Sequence, residues 1–286
     1  MNVFLENAKI LLGFPFVVRA LIAGPLTALS SALLGVGLVT GKKAMLGDGL
    51  SHVSFCAAAI ALAIGVSPTV ISVPAVIIAA LLLLRSGSGD GSSVALISGG
   101  ALAVGTFVLS VVSGMNMDVS DYMFGSIFTL SFGDTVLCII CVICVLTAYS
   151  LLYRRVFAVS FDEAFSSASG IHVKRYNSVM AALTAITVVT GMKIMGVMLV
   201  TALTVFPALT ALQLCKSFRS VVIFASVSSL CCFTMGIIIA LSLSLPAGAT
   251  VVMIYLALLI ICFAVKTVRT AVQNSRTKGR RVIKSE

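Results

Sequence analysis

Two side chains stand out chemically in an otherwise apolar sequence. Asp48 and His52 lie four residues apart inside a hydrophobic run. At that spacing on a helix both project from one face, with Cβ atoms roughly 5–6 Å apart. A carboxylate and an imidazole so placed can bridge one divalent ion, and the pair suits zinc, manganese or iron about equally. A soft copper(I) site would call for clustered Cys or Met, and Met45 alone is not such a cluster. A charge inside a membrane span costs about 2.5–3.5 kcal/mol and by default marks function. The same spacing also fits a structural role, an Asp–His hydrogen bond that joins two helices. Gly47, Gly49, Ser51 and Ser54 surround the pair and leave room for a neighbouring helix or an ion. Two ligands do not complete a coordination sphere, so the others must come from another helix, a second copy of the chain, or water. His52 lies about 14 Å along the helix from Lys43, near the middle of a hydrocarbon core about 30 Å thick.

Other chemistries find little support. The stretch from Gly37 to Lys43 resembles a phosphate loop only briefly. Its glycines are four apart instead of five, and Lys43 stands where Ser or Thr would hold magnesium. The chain therefore carries no ATP site of its own, and it is not expected to be an enzyme. The sequence holds only two histidines, and no hydrolase motif accompanies them. Of the eight cysteines, seven fall inside apolar blocks and Cys215 ends one, so they read as small buried hydrophobes and not as a disulfide framework. The same reading covers Cys138, Cys141 and Cys144, which recur every three residues on one helix.

The elements that position the pair follow from composition. Of 286 residues, 60% are hydrophobic and 10% charged, with a mean hydropathy of +1.19. A soluble domain carries roughly 25% charged residues, so this chain is read as an all-α integral membrane protein. Residues 20–39, 136–152, 221–241 and 250–265 are charge-free blocks close to a bilayer-spanning length. Breaks at residues 41–43, 65–68, 85–93, 113–133, 153–176, 191–195, 215–219 and 243–249 divide the chain into nine candidate helices. No cleavable secretory signal is recognisable, so the first segment is expected to stay. An odd count puts the termini on opposite sides. With the C-terminus in the cytosol, all but Lys9, Arg19 and Lys193 of the 19 lysines and arginines lie inside, as the positive-inside rule requires. The N-terminus is then outside. Residues 1–268 form one membrane domain, and residues 269–286 a basic cytoplasmic tail that faces lipid and not nucleic acid.

With the spans in place, six segments in order resemble the permease subunits of zinc/manganese/iron-uptake ABC transporters. Residues 47–52, Gly-Asp-Gly-Leu-Ser-His, are similar to that family's G-D-A-L-S-H signature. The opening segment from Phe16 to Leu21, the outer-loop stretch from Asp118 to Ile127, the loop from Phe161 to Gly170, the run from Lys193 to Ala211 and the turn from Leu245 to Ala249 resemble further family motifs. Gly49 replaces the usual Ala and Ala249 the usual Pro; both touch packing, and neither removes a ligand. The resemblance implies a bundle like that of type II ABC importers in a bacterial inner membrane. It implies a homodimer, two cytoplasmic ATPase subunits, and an extracytoplasmic binding protein that delivers the ion. It also implies that Asp48 and His52 touch the ion in transit. The alternatives are a permease for a larger metal chelate and a transporter that works alone.

Three further sets of residues are candidates. Asp162 and Glu163 suit a helix N-terminus, and Gly170 suits its C-terminal cap. Phe161, Ala164, Phe165 and Ala168 then form an apolar stripe. That stripe could pack on its own bundle; the resemblance implies instead a coupling helix, residues 160–172, that docks on the ATPase. Pro207 bends an apolar span, and Thr201, Thr204 and Thr210 could re-satisfy its freed carbonyl. This fits either a moving helix beside the pathway or plain packing. Asp118 and Asp121 in the outer loop could attract cations, meet the binding protein, or simply be solvated.

Overall fold

The computed structural model describes residues 15–85, 91–112, 125, 132–243 and 245–283, with Phe16 and residues 270–283 described as backbone only. Asp118 and Asp121 lie outside the described residues. Among the described residues ten helices follow in order: α1 (Pro15–Thr40), α2 (Met45–Ile64), α3 (Pro68–Arg85), α4 (Gly91–Val111), α5 (Phe132–Phe161), α6 (Glu163–Ala168), α7 (Val173–Met195), α8 (Val197–Leu214), α9 (Phe218–Leu243) and α10 (Ala247–Ile283). Among the described residues nine helices, all but α6, are long and apolar enough to cross a bilayer. All-helical spans are what a bilayer demands, because every backbone polar group must be satisfied within its own segment.

Three boundaries differ from expectation. The break expected at 153–176 is mostly helix. α5 continues to Phe161, 30 residues or about 45 Å long. Val156, Val159 and Ser160 are buried at helical spacing while Arg154 and Arg155 stay exposed, so an amphipathic extension takes over where the apolar block ends. The break expected at 191–195 is one residue, Gly196, at φ 81 and ψ 166. Gly191 is helical; a Cβ there would sit 3.0 Å from Val200, so its missing side chain serves helix packing and not a turn. Helix α10 also runs through the basic segment as far as Ile283.

The bundle has two ends. One carries the α1–α2 turn, α6, and the α8–α9 turn. The other carries the α2–α3 turn and the Gly196 joint. Helices α1 and α7 are the most buried, while α4 is almost wholly peripheral. A cluster of Ala20, Ala23, Leu199, Phe233, Val251 and Tyr255 fills the Gly196 end. A second, with Leu34, Val156, Tyr176, Ala208 and Phe218, fills the α6 end. A third packs α2 and α3 against α7 through Leu50, Phe55, Val76 and Val188. Inside the bundle Ser229 donates to the Ala28 carbonyl at 2.8 Å, and Tyr255 donates to the Ser229 carbonyl at 2.7 Å. Those two bonds tie α1, α9 and α10 where no water competes.

Candidate metal pathway

Asp48 and His52 share one face of α2, as their spacing requires. His52 Nε2 stands 3.7 Å from Asp48 Oδ1, too long for a hydrogen bond. His52 Nδ1 is buried and has no partner. Among the described residues neither side chain bonds another helix, so the structural role allowed by the spacing is not realised. Zinc–nitrogen and zinc–oxygen bonds run about 2.0–2.2 Å, which puts two ligands of one tetrahedral ion about 3.4 Å apart. A small closure of the pair would suffice to hold one ion. No group of three or more His, Cys, Asp or Glu side chains able to hold a metal occurs among the described residues.

Asp48 lies in the first turn of α2, toward the α6 end of the bundle, and His52 lies one turn further in, near the middle of that 20-residue helix. The α1–α2 link is short, and α2 starts only two residues after Lys43.

Close backbone approach holds α2 in place. A Cβ on Gly47 would lie 3.1 Å from Thr204 Oγ1, and one on Gly35 would lie 1.8 Å from the Thr204 carbonyl. Helices α1, α2 and α8 therefore meet at Thr204. A Cβ on Gly49 would lie 2.7 Å from Val94 Cγ1 of α4. The remaining face of α2 carries Met45, Asp48, His52 and Cys56. Asp48 is 51% exposed and His52 17%.

Pro207 is buried three residues beyond Thr204. Helix α8 runs unbroken through it. The threonines do not serve the carbonyl that proline frees, that of Leu203. Their hydroxyls donate instead to Met198, Thr201 and Phe206.

The ABC 3 transport family matches residues 13–266 of this chain. The chain belongs to that family. It is a multi-pass membrane permease. It is similar to the high-affinity zinc uptake system membrane protein ZnuB of Haemophilus influenzae, with 26% identity over 243 residues, 84% of this chain and 93% of the relative. It is similar as well to the manganese import system permease protein ScaB of Streptococcus gordonii, 22% identical over 254 residues, 87% and 91% of the two chains. Among solved structures, PsaBC from Streptococcus pneumoniae in complex with Fab superposes with a TM-score of 0.81 at 22% identity, covering 90% of this chain and 94% of that one. The fold is shared.

Helix α6 of the permease is built as its residues suggest. Asp162 Oδ1 accepts from the Phe165 amide at 2.9 Å, an N-cap. At the other end Ile171 N donates to the Ser166 carbonyl and Gly170 N to that of Ser167, with Gly170 at φ 82. Those bonds form a Schellman closure. Ser166 turns inward. Phe161 and Phe165 are 67% and 69% exposed, and Ala164 and Ala168 are exposed beside them. Phe161 still meets Phe157 and Phe218 of its own bundle, with ring centroids 4.9 and 6.2 Å away, while the rest of the stripe stays exposed.

Four features carried no signal in the sequence. Lys43 and Asn177 both bond Glu163, across separations that local patterns do not register. Asp134 and Lys193 form an ion pair of 2.5 Å between α5 and α7 at the Gly196 end. Gly125, at φ 75, lies so close that a Cβ would sit 2.2 Å from the Met195 carbonyl carbon. Thr204, finally, is the point on which two glycines close.

Proposed function

We propose that this permease, the membrane subunit of a divalent transition-metal ABC importer, passes a zinc, manganese or iron ion along the face of α2 that carries Asp48 and His52. One observation carries this reading. Asp48 leaves about half of its side chain exposed on a membrane-spanning helix, between the buried Gly47 and Gly49. Facing lipid, a charge costs up to about 2.5–3.5 kcal/mol at the centre of a span and less toward its end. A hydrated path or a second copy of the chain against this face would remove that cost. A homodimer that places two such faces opposite each other supplies the missing ligands, with water completing the sphere. The relatives' names mention zinc and manganese, and the Asp–His donor set accepts both.

The α6 end is placed in the cytosol, since it gathers Arg85, Arg154, Arg155, Lys174, Arg175, Lys216 and Arg219. That orientation leaves the N-terminus outside and carries the basic segment, residues 269–286, inward to anionic lipid. The exposed Phe161–Ala168 stripe docks on a cytoplasmic ATPase, which supplies the ATP hydrolysis the permease lacks. Asp118 and Asp121 meet the extracytoplasmic protein that delivers the ion. Pro207 marks the segment of α8 that shifts beside α2 when the path alternates.

The test is uptake by the complete complex in liposomes, with each metal offered alone and in competition. Asp48→Ala and His52→Ala are expected to cut uptake at least about tenfold, the usual cost of losing a ligand or its orientation, with the complex still assembled. Full uptake in both variants would remove the pair from the path. Uptake by the permease alone, without ATPase, would favour a transporter that works independently.

A further inference from the structure

Glu163 begins α6, but it also reaches outside it. Its Oε1 accepts from Lys43 Nζ at 2.5 Å and from Asn177 Nδ2 at 3.2 Å. Lys43 belongs to the turn between α1 and α2, and Asn177 to the start of α7. One carboxylate thus joins three elements.

The turn that aims Lys43 is closely defined. Lys42 N donates to the Val39 carbonyl at 3.2 Å and Lys43 N to the Leu38 carbonyl at 2.7 Å. Lys42 takes the left-handed conformation this closure needs, with φ 57. The Lys43 carbonyl then accepts from Leu46 N at 3.0 Å, in the first turn of α2. Asp48 follows five residues after Lys43, about 7–8 Å along the helix.

A small open cleft lies beside the pair, lined by Leu46 of α2, Glu163 of α6, and Tyr176, Asn177 and Met180 of α7 among others. Lys43 and Glu163, both in its lining, meet at its edge. As a stabiliser, an ion pair this exposed is weak. As a tether it has a distinct consequence, because it bonds the short helix α6 directly to the turn from which the metal-binding face starts.

We propose that Lys43 is a positioning residue for transport: the Lys43–Glu163–Asn177 link carries movement of α6 to the first turn of α2, and so to Asp48 and His52. The proposal rests on the reading of α6 as the ATPase-docking helix given above. On this reading Lys43 acts through Glu163 and not by contact with the ATPase or the ion. Its loss should therefore leave ATP hydrolysis intact and uncouple it from uptake.

The experiment uses the full complex of permease, ATPase and binding protein in liposomes, and measures zinc or manganese delivered per ATP hydrolysed. Lys43→Gln and Lys43→Glu should co-purify with the ATPase, hydrolyse ATP at the basal wild-type rate, and deliver about tenfold less metal per ATP, an ordinary size for a coupling effect. Lys43→Arg, which keeps the charge, should stay close to wild type. Exchange of the two charges, Lys43→Glu with Glu163→Lys, should restore at least half of the ratio lost in Lys43→Glu. A normal ratio in Lys43→Gln and Lys43→Glu would overturn the proposal, and so would failure of the exchanged pair to recover. Loss of the ATPase from the purified Lys43 variants would overturn it too, since Lys43 would then serve docking. If the wild-type complex itself shows no ATP-driven uptake, the docking-helix reading fails first, which separates the two claims.

Discussion

Gly49 has no side chain, and Val94 of α4 fills the space. An added Cβ would sit 2.7 Å from Val94 Cγ1, and a β-branched valine has little freedom to retreat. Gly49→Ala, which would restore the residue usual in the resembled signature, is therefore expected to lower stability by about 1–3 kcal/mol, as overpacking does. Val94→Ala in the same chain should recover most of that, and thermal melting of purified protein checks both. Gly35→Ala should be worse. Its Cβ would fall 1.8 Å from a backbone carbonyl, that of Thr204, which cannot rotate away, so α1 and α8 would have to separate. At this scale the sequence was partly legible. Asp48 and His52 were visible because a charge in an apolar run is conspicuous. Lys43 was not, because its partner lies 120 residues away and nothing local hints at the pairing.

Among the elements, α6 separates stability from function most cleanly. Asp162→Ala removes the N-cap bond and should cost about 0.5–2 kcal/mol locally, seen as faster amide exchange in α6 without a change in the rest of the bundle. Phe165→Glu should leave the permease as stable as before, because the ring is exposed. The same change should abolish co-purification with the ATPase; retained binding would mean that the stripe docks elsewhere. The sequence indicated this helix and its caps, since Asp162 and Gly170 are strong punctuation. It misjudged the end of α5 for a physical reason. Apolar runs mark the membrane portion of a helix only, and α5 continues past it on an amphipathic pattern two turns long. Gly191 misled in a different way: a glycine reads as a break, but here it admits Val200.

For the whole molecule, the span count was legible because bilayer thickness sets a length that few apolar runs meet by accident. The proposed orientation rests on the basic residues and can be tested directly. A protease site fused after Glu286 should be cut in inverted membrane vesicles and protected in intact spheroplasts. The reverse pattern would invert the pathway and every role assigned to α6. The tertiary arrangement was not legible. That three helices meet at Thr204, or that one hydroxyl and one carbonyl tie α1, α9 and α10, depends on which faces the bundle selects, and nearly uniform apolar helices do not declare a face.

The single-residue joint at Gly196 bears on how the chain is made. With one residue between them, α7 and α8 have no loop in which one could wait while the other enters the bilayer. They must leave the insertion machinery together, as a hairpin. Lys193 sits near the tip of that hairpin and, in the proposed orientation, has to be carried across. Asp134, on the helix synthesised just before, is the carboxylate that receives it. Asp134→Asn should therefore slow biogenesis more than it weakens the finished protein. The expected signs are fewer mature molecules per messenger and more degradation during synthesis, with nearly normal melting of those that complete insertion.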